Sequence, residues 1–199
     1  MRNKVKKGYE EGDYESDYRE GRDVRPEEKD FFDSLSDLTG GDKLLDLGCG
    51  TGVPFDRYLS EKGWKVTGFD IAETHVEKAR ENVPSGEFRQ GDFFQLDFEE
   101  GSFDAVVSFY AIFHIPRKQH SKLLDKISRW VKQDGAILIT MGAEKMDMME
   151  GDIGGEKMLW SSYSAEKNKE IVKEAGFNIV SSYEEDWREE THLWILAKP

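Results

Sequence analysis

The sequence is poor in cysteine, in positive charge and in long apolar runs. Its one cysteine, Cys49, among 199 residues excludes an internal disulfide framework and fits a reducing compartment. No stretch approaches the roughly 18 apolar residues that a membrane-spanning helix needs. Residues 1–8 are basic but lead into no apolar run, so no secretory signal is expected. A cytoplasmic protein without a membrane partner is therefore expected. Only 28 Lys and Arg stand against 41 Asp and Glu, a net charge of -13. That excess opposes broad contact with a nucleic-acid backbone, because phosphate neutralisation needs clustered basic residues. The acidic run at 184–190 reads as a solvated hairpin loop. It carries no Asp or Asn pair at obvious metal spacing, and no metal is expected.

What the sequence does contain is a glycine loop. Leu44-Leu45-Asp46-Leu47-Gly48-Cys49-Gly50-Thr51-Gly52 runs an apolar strand into three glycines at alternate positions, and a second strand, 64–69, ends at Asp70. Glycines at such a turn let the backbone approach a ligand and adopt positive φ without Cβ strain. An acid at the tip of the next strand is placed to accept from ribose hydroxyls. The G-x-G-x-G spacing is one residue shorter than the dinucleotide fingerprint G-x-G-x-x-G. This argues against a NAD-dependent dehydrogenase. The loop has no Lys or Arg, and nothing of the G-x-x-x-x-G-K-[ST] type is present. Asp46, two residues before the first glycine, would repel a pyrophosphate and suits a cationic nucleoside. Two further landmarks follow in order: Gln90-Gly91-Asp92-Phe93, and the strand Phe103-Asp104-Ala105-Val106-Val107-Ser108.

With these four landmarks the chain resembles the class I S-adenosylmethionine-dependent methyltransferases over roughly residues 30–199. The resemblance implies a doubly wound, mostly parallel seven-stranded α/β sheet with a C-terminal antiparallel hairpin, a Rossmann-like fold. It implies S-adenosylmethionine as cofactor and S-adenosylhomocysteine as product. Residues Asp46, Gly48, Gly50, Gly52, Asp70, Ile71, Asp92, Phe93 and Ser108 would hold the donor, Asp92 accepting from the adenine amino group. It also implies a small-molecule acceptor. Methylation of a protein or RNA, or donor binding without catalysis, are the alternatives. The stretch 108–116 lacks the N-P-P-Y or D-P-P-Y sequence of enzymes that methylate amide or nucleobase nitrogens.

The organisation is that of alternating strands and helices. Residues 1–25 read as a loosely held arm carrying Tyr9, Tyr14 and Tyr18. The resemblance implies that residues 26–199 form a single methyltransferase domain. Within it helices are expected over 26–38, from Pro54 to 62, over 74–82, 117–132 and 164–175. The final strands are expected over 177–183 and 192–197. The segment 142–163, rich in Met, Trp and Gly, reads as a lid insertion over the acceptor. Tyr18, Tyr110, His114, Trp160 and Tyr163 are the candidate acceptor contacts. His114 has two readings: a general base or acceptor ligand near the methyl group, or a helix-entry histidine bonded to backbone beside Pro116. Monomer and homodimer are equally open.

Overall fold

A computed structural model describes residues 1–12, 22–153, 155–187 and 190–199. Tyr14 and Tyr18 lie outside the described residues, and with Tyr18 one of the expected acceptor contacts. The strands are β1 (Lys43–Leu47), β2 (Lys65–Asp70), β3 (Glu87–Gln90), β4 (Phe103–Ser108), β5 (Val131–Gly142), β6 (Met146–Ile153), β7 (Glu156–Ser162), β8 (Asn178–Trp187) and β9 (Glu190–Lys198). Seven of them form one sheet in the order β3-β2-β1-β4-β5-β9-β8. The pairs from β3 to β5 are parallel, and β9 runs antiparallel to both β5 and β8. β6 and β7 make a separate antiparallel hairpin. The doubly wound fold with its C-terminal hairpin is thus present as expected.

The sheet has two apolar faces because its central strands bury both sides, the signature of a covered parallel sheet. Side chains alternate along each strand. Leu44, Val107 and Leu138 join one core cluster, while Leu45, Val106 and Ile137 join the other. The first face is covered by α1 (Arg2–Glu11), α2 (Pro26–Leu38), α3 (Phe55–Glu61) and α4 (Glu73–Asn82). The second is covered by α5 (His120–Trp130) and α6 (Ala165–Glu174). In α5, Leu123, Leu124, Ile127 and Trp130 fall on one stripe and are all buried, which ties its helical spacing to its place on the sheet. Ser164 caps α6 by accepting from the Lys167 amide at 3.4 Å.

Several boundaries differ from the sequence reading. The expected helix 117–132 stops at Trp130, because Val131 already pairs with Phe103 of β4. The register then jumps to Ala105 opposite Ala136, so Asp134-Gly135 forms a bulge inside β5. A Cβ on Gly135 would lie 2.5 Å from the Asp104 carbonyl oxygen, so that bulge requires glycine. The first ten residues or so of the arm are helical. Val5 and Gly8 are buried in α1, and Gly8 lies so close to Met158 of β7 that a Cβ would meet its sulfur at 2.2 Å. The acidic run is no solvated loop. Glu184, Glu185 and Asp186 continue β8, and Glu185 is buried. It pairs with Arg25, and it accepts from the Tyr110 hydroxyl at 2.8 Å and the Trp194 indole at 3.1 Å.

Candidate active site

The parallel strands β1 to β4 end on one edge, where the sheet order reverses between β1 and β4. Open α/β sheets bind ligands in the crevice at such a point. Here the chain leaves β1 through the glycine loop. The amides of Gly48 and Cys49 donate to the Phe69 carbonyl at 2.7 and 3.1 Å, which ties the loop to the end of β2. Gly48, Gly50 and Gly52 all have positive φ, at 94°, 54° and 75°. They differ in what a side chain would meet. A Cβ on Gly48 would lie 2.4 Å from the Ala111 Cβ, whereas one on Gly50 would meet no atom within 4 Å. The space over Gly50 is therefore room for a ligand against backbone, as a nucleoside donor requires. The Asp70 carboxylate braces this turn, accepting from the Gly50 amide at 3.0 Å and the Ala72 amide at 2.9 Å.

A cleft of about 660 Å³, its mouth included, opens over the loop. Of the expected donor contacts, Gly48, Gly50, Asp70, Ile71, Asp92 and Phe93 line it, as do Tyr110 and His114 from the acceptor group. Others lie elsewhere. Asp46 is buried beneath the loop, where it lines a smaller cavity together with Gly52. Ser108 is fully buried and donates to the Leu47 carbonyl at 2.6 Å, joining β4 to β1. Tyr163 sits against the second core, its ring facing His120. Trp160 is one ring away from His114, at 5.7 Å between centroids, but lines a different cavity. Cys49 lies under the loop, and burial pushes its thiol well above the usual range, so it is a packing residue and not a nucleophile.

Helix α1 lies across this cleft, which sequence reasoning missed. Arg2, Val5 and Tyr9 face it. The Arg2 guanidinium pairs with Asp92 at 2.9 Å and lies over the Phe94 ring. Lys4 pairs with Glu150 and Lys7 with Glu156 at 3.0 Å, fastening α1 to the β6–β7 hairpin. The signal was a weak one: Val5, Gly8 and Tyr9 recur at helical spacing inside an otherwise polar stretch.

His114 closes the short 3-10 turn Ile112–His114 and is buried. Its Nδ1 is 3.0 Å from the Leu159 carbonyl, which can only accept, so Nδ1 carries the proton. Nε2 is then the acceptor for the Tyr9 hydroxyl at 2.7 Å. Burial pulls the imidazole pKa down to about 4. Both ring nitrogens are thus engaged and the ring is neutral at pH 7. Tyr110 takes a left-handed backbone conformation, φ 54°, just past β4. Besides Glu185, its hydroxyl has the guanidinium groups of Arg22 and Arg25 at 3.4 Å, and burial pushes the phenol pKa up.

A family model for the methyltransferase domain matches residues 44–135, which span the glycine loop, Asp70, Asp92 and β4. Among curated proteins, the chain is 27% identical over 150 residues to 27-O-demethylrifamycin SV methyltransferase of Amycolatopsis mediterranei, covering 72% of this chain and 49% of that protein. It is 36% identical over 112 residues to phosphoethanolamine N-methyltransferase of Plasmodium falciparum, covering 53% and 42%. The chain thus spans less than half the length of these two relatives. Among solved structures, an S-adenosylmethionine-dependent methyltransferase from Clostridium acetobutylicum superposes with a TM-score of 0.73 at 16% identity, covering 93% of this chain and 95% of that one. The chain thus carries a methyltransferase domain on the fold of the class I S-adenosylmethionine-dependent methyltransferases, and S-adenosylmethionine is the cofactor which this implies.

Proposed function

We propose that this protein transfers a methyl group from S-adenosylmethionine to a small-molecule acceptor in the cleft above the glycine loop. The observation that carries this reading is the empty, backbone-floored space over Gly50, with Asp70 and Asp92 at its rim. When bound, the donor supplies a methyl group made electrophilic by the sulfonium; the chain supplies alignment and exclusion of water. Asp70 and Asp92 take its hydroxyl and amino groups, and their charge suits its cationic head. Asp46 and Ser108 act from behind, shaping the loop. Helix α1 and the hairpin at 142–163 form the cover, and that cover favours an acceptor small enough to sit beneath it over a protein or RNA. The curated relatives carry the same preference, since one is named for a rifamycin and the other for phosphoethanolamine. His114 is a positioning residue in this scheme, joining β7 to α1 through Leu159 and Tyr9. The test is transfer of label from methyl-labelled S-adenosylmethionine into a fractionated cell extract. Label in the low-mass fraction is expected; label confined to protein or RNA contradicts the small-molecule reading.

Two variants examine the donor contacts. Asp70→Ala removes a charged acceptor and the brace on Gly50, a loss of roughly 1.5–3 kcal/mol. The dissociation constant for S-adenosylhomocysteine should then rise by about tenfold to a hundredfold in calorimetry. An unchanged constant sinks the role of Asp70. Arg2 occupies the carboxylate that the adenine amino group would use, so donor entry has to displace it. Their pair is partly exposed and worth at most about 1 kcal/mol. Arg2→Gln should accordingly tighten donor binding up to about fivefold; weaker binding would mean that Arg2 itself holds the donor.

A further inference from the structure

Asp92, which the donor reading places against the adenine amino group, lines the cleft from neither a strand nor a helix; it opens a turn after β3. Its Oδ1 accepts from the Phe94 amide at 3.0 Å, and its backbone carbonyl accepts from the amides of Gln95 at 2.8 Å and Leu96 at 3.3 Å. An aspartate bonded to the backbone two residues on is a common way to start a turn. These bonds employ the amides of the turn and leave the Phe94 and Leu96 carbonyls in need of donors. Lys126 of α5, 32 and 30 positions away, supplies them: its Nζ donates to the Phe94 carbonyl at 3.1 Å and to the Leu96 carbonyl. The ammonium also lies over the Trp130 ring, 5.2 Å from its centroid. Trp130 in turn meets Phe98 edge-on at 5.1 Å, so α5 grips the segment 92–98 near both of its ends.

Of the two Asp92 oxygens, the turn holds Oδ1, while Arg2 pairs with Oδ2 at 2.9 Å. Oδ2 is therefore the oxygen that the adenine amino group would meet once Arg2 is displaced, and its direction follows that of the turn. A contact of this kind is only as well aimed as the backbone beneath it. Lys126 is not among the residues that line the cleft, so it reaches the donor only through the turn. We propose that Lys126 is a positioning residue for donor choice: it clamps the 92–96 turn so that Asp92 faces the adenine amino group, and it thereby sets the preference for adenine over a purine without that group. The proposal rests on the methyl-transfer reading and on the place of Asp92 in it.

Calorimetry of the full chain with two matched ligands tests it. One is S-adenosylhomocysteine; the other is its 6-deamino analogue, in which hydrogen replaces the adenine amino group. The wild-type chain should bind S-adenosylhomocysteine about tenfold tighter or more, the size of one hydrogen bond to a charged group. Lys126→Met keeps the length of the stem and removes the donors. It should cut that preference to about threefold or less, by weakening S-adenosylhomocysteine and leaving the analogue nearly unchanged. Asp70→Ala should instead weaken both ligands alike and keep the preference. Should Lys126→Met fail to fold, Lys126→Gln, which keeps one donor group, should still lower the preference. Equal weakening of both ligands by the Lys126 variant, with the preference intact, would overturn the proposal and make Lys126 a structural group only. No binding of either ligand by the wild-type chain would overturn the donor reading and the proposal together, so the two failures are told apart.

Discussion

Gly50→Val is expected to abolish donor binding and leave the chain folded. At φ 54° the residue sits in the left-handed region, where a β-branched side chain is strained by about 1–2 kcal/mol. The fold has little else to lose there, since no atom lies within 4 Å of the position a Cβ would take. The two valine methyls instead fill the space that the donor needs against the backbone. Affinity for S-adenosylhomocysteine should fall more than a hundredfold, about 3 kcal/mol or more, with a melting temperature only a few degrees lower. Gly48→Ala should behave oppositely, because its Cβ would press on Ala111 and damage the fold. Near wild-type affinity in Gly50→Val would reduce the loop to a turn.

The second large effect is on stability in mild acid. Burial lowers both His114 and His120 from 6.5 to about 4 in the folded chain. The folded state therefore holds each ring neutral while the unfolded chain protonates it. Stability is fully present above pH 6.5, falls as pH drops from there, and stops falling near pH 4, where the folded rings protonate too. From pH 7 to pH 5 each ring should remove about 2 kcal/mol from the unfolding free energy, about 4 kcal/mol together. Urea melts at the two pH values measure it. His120→Gln should halve the dependence, because its Nε2 lies 3.3 Å from the Ile115 carbonyl and takes no part in the cleft. A stability independent of pH over that range would mean that water reaches both rings.

The glycine-loop side of the cleft was legible in the sequence because its geometry is local. Three glycines at alternate positions must make a turn that tolerates positive φ, and Asp70 follows at the tip of a strand whose pattern is equally plain. The opposite side, where α1 meets His114 and β7, was not legible, because contacts distant in sequence make it. Tyr9 meets His114 across 105 positions, and His114 meets the Leu159 carbonyl across 45. Neither partner has a local signature. Residues 1–11 are too polar on average to suggest a buried face, yet Val5 and Gly8 suffice once β7 offers Met158 and the hairpin offers Glu150 and Glu156. Glu185 misled for the complementary reason. A run of acids reads as solvated, and only the approach of Arg25, Tyr110 and Trp194 from three other elements satisfies a buried carboxylate.

Calorimetric titration of the wild-type chain with S-adenosylhomocysteine tests the central claim most directly, that the cleft over Gly50 is the donor site. One molecule should bind per chain, S-adenosylmethionine should compete with it, NAD should not, and Gly50→Val should abolish the heat. No binding, or undiminished binding by the Gly50→Val chain, would contradict the account.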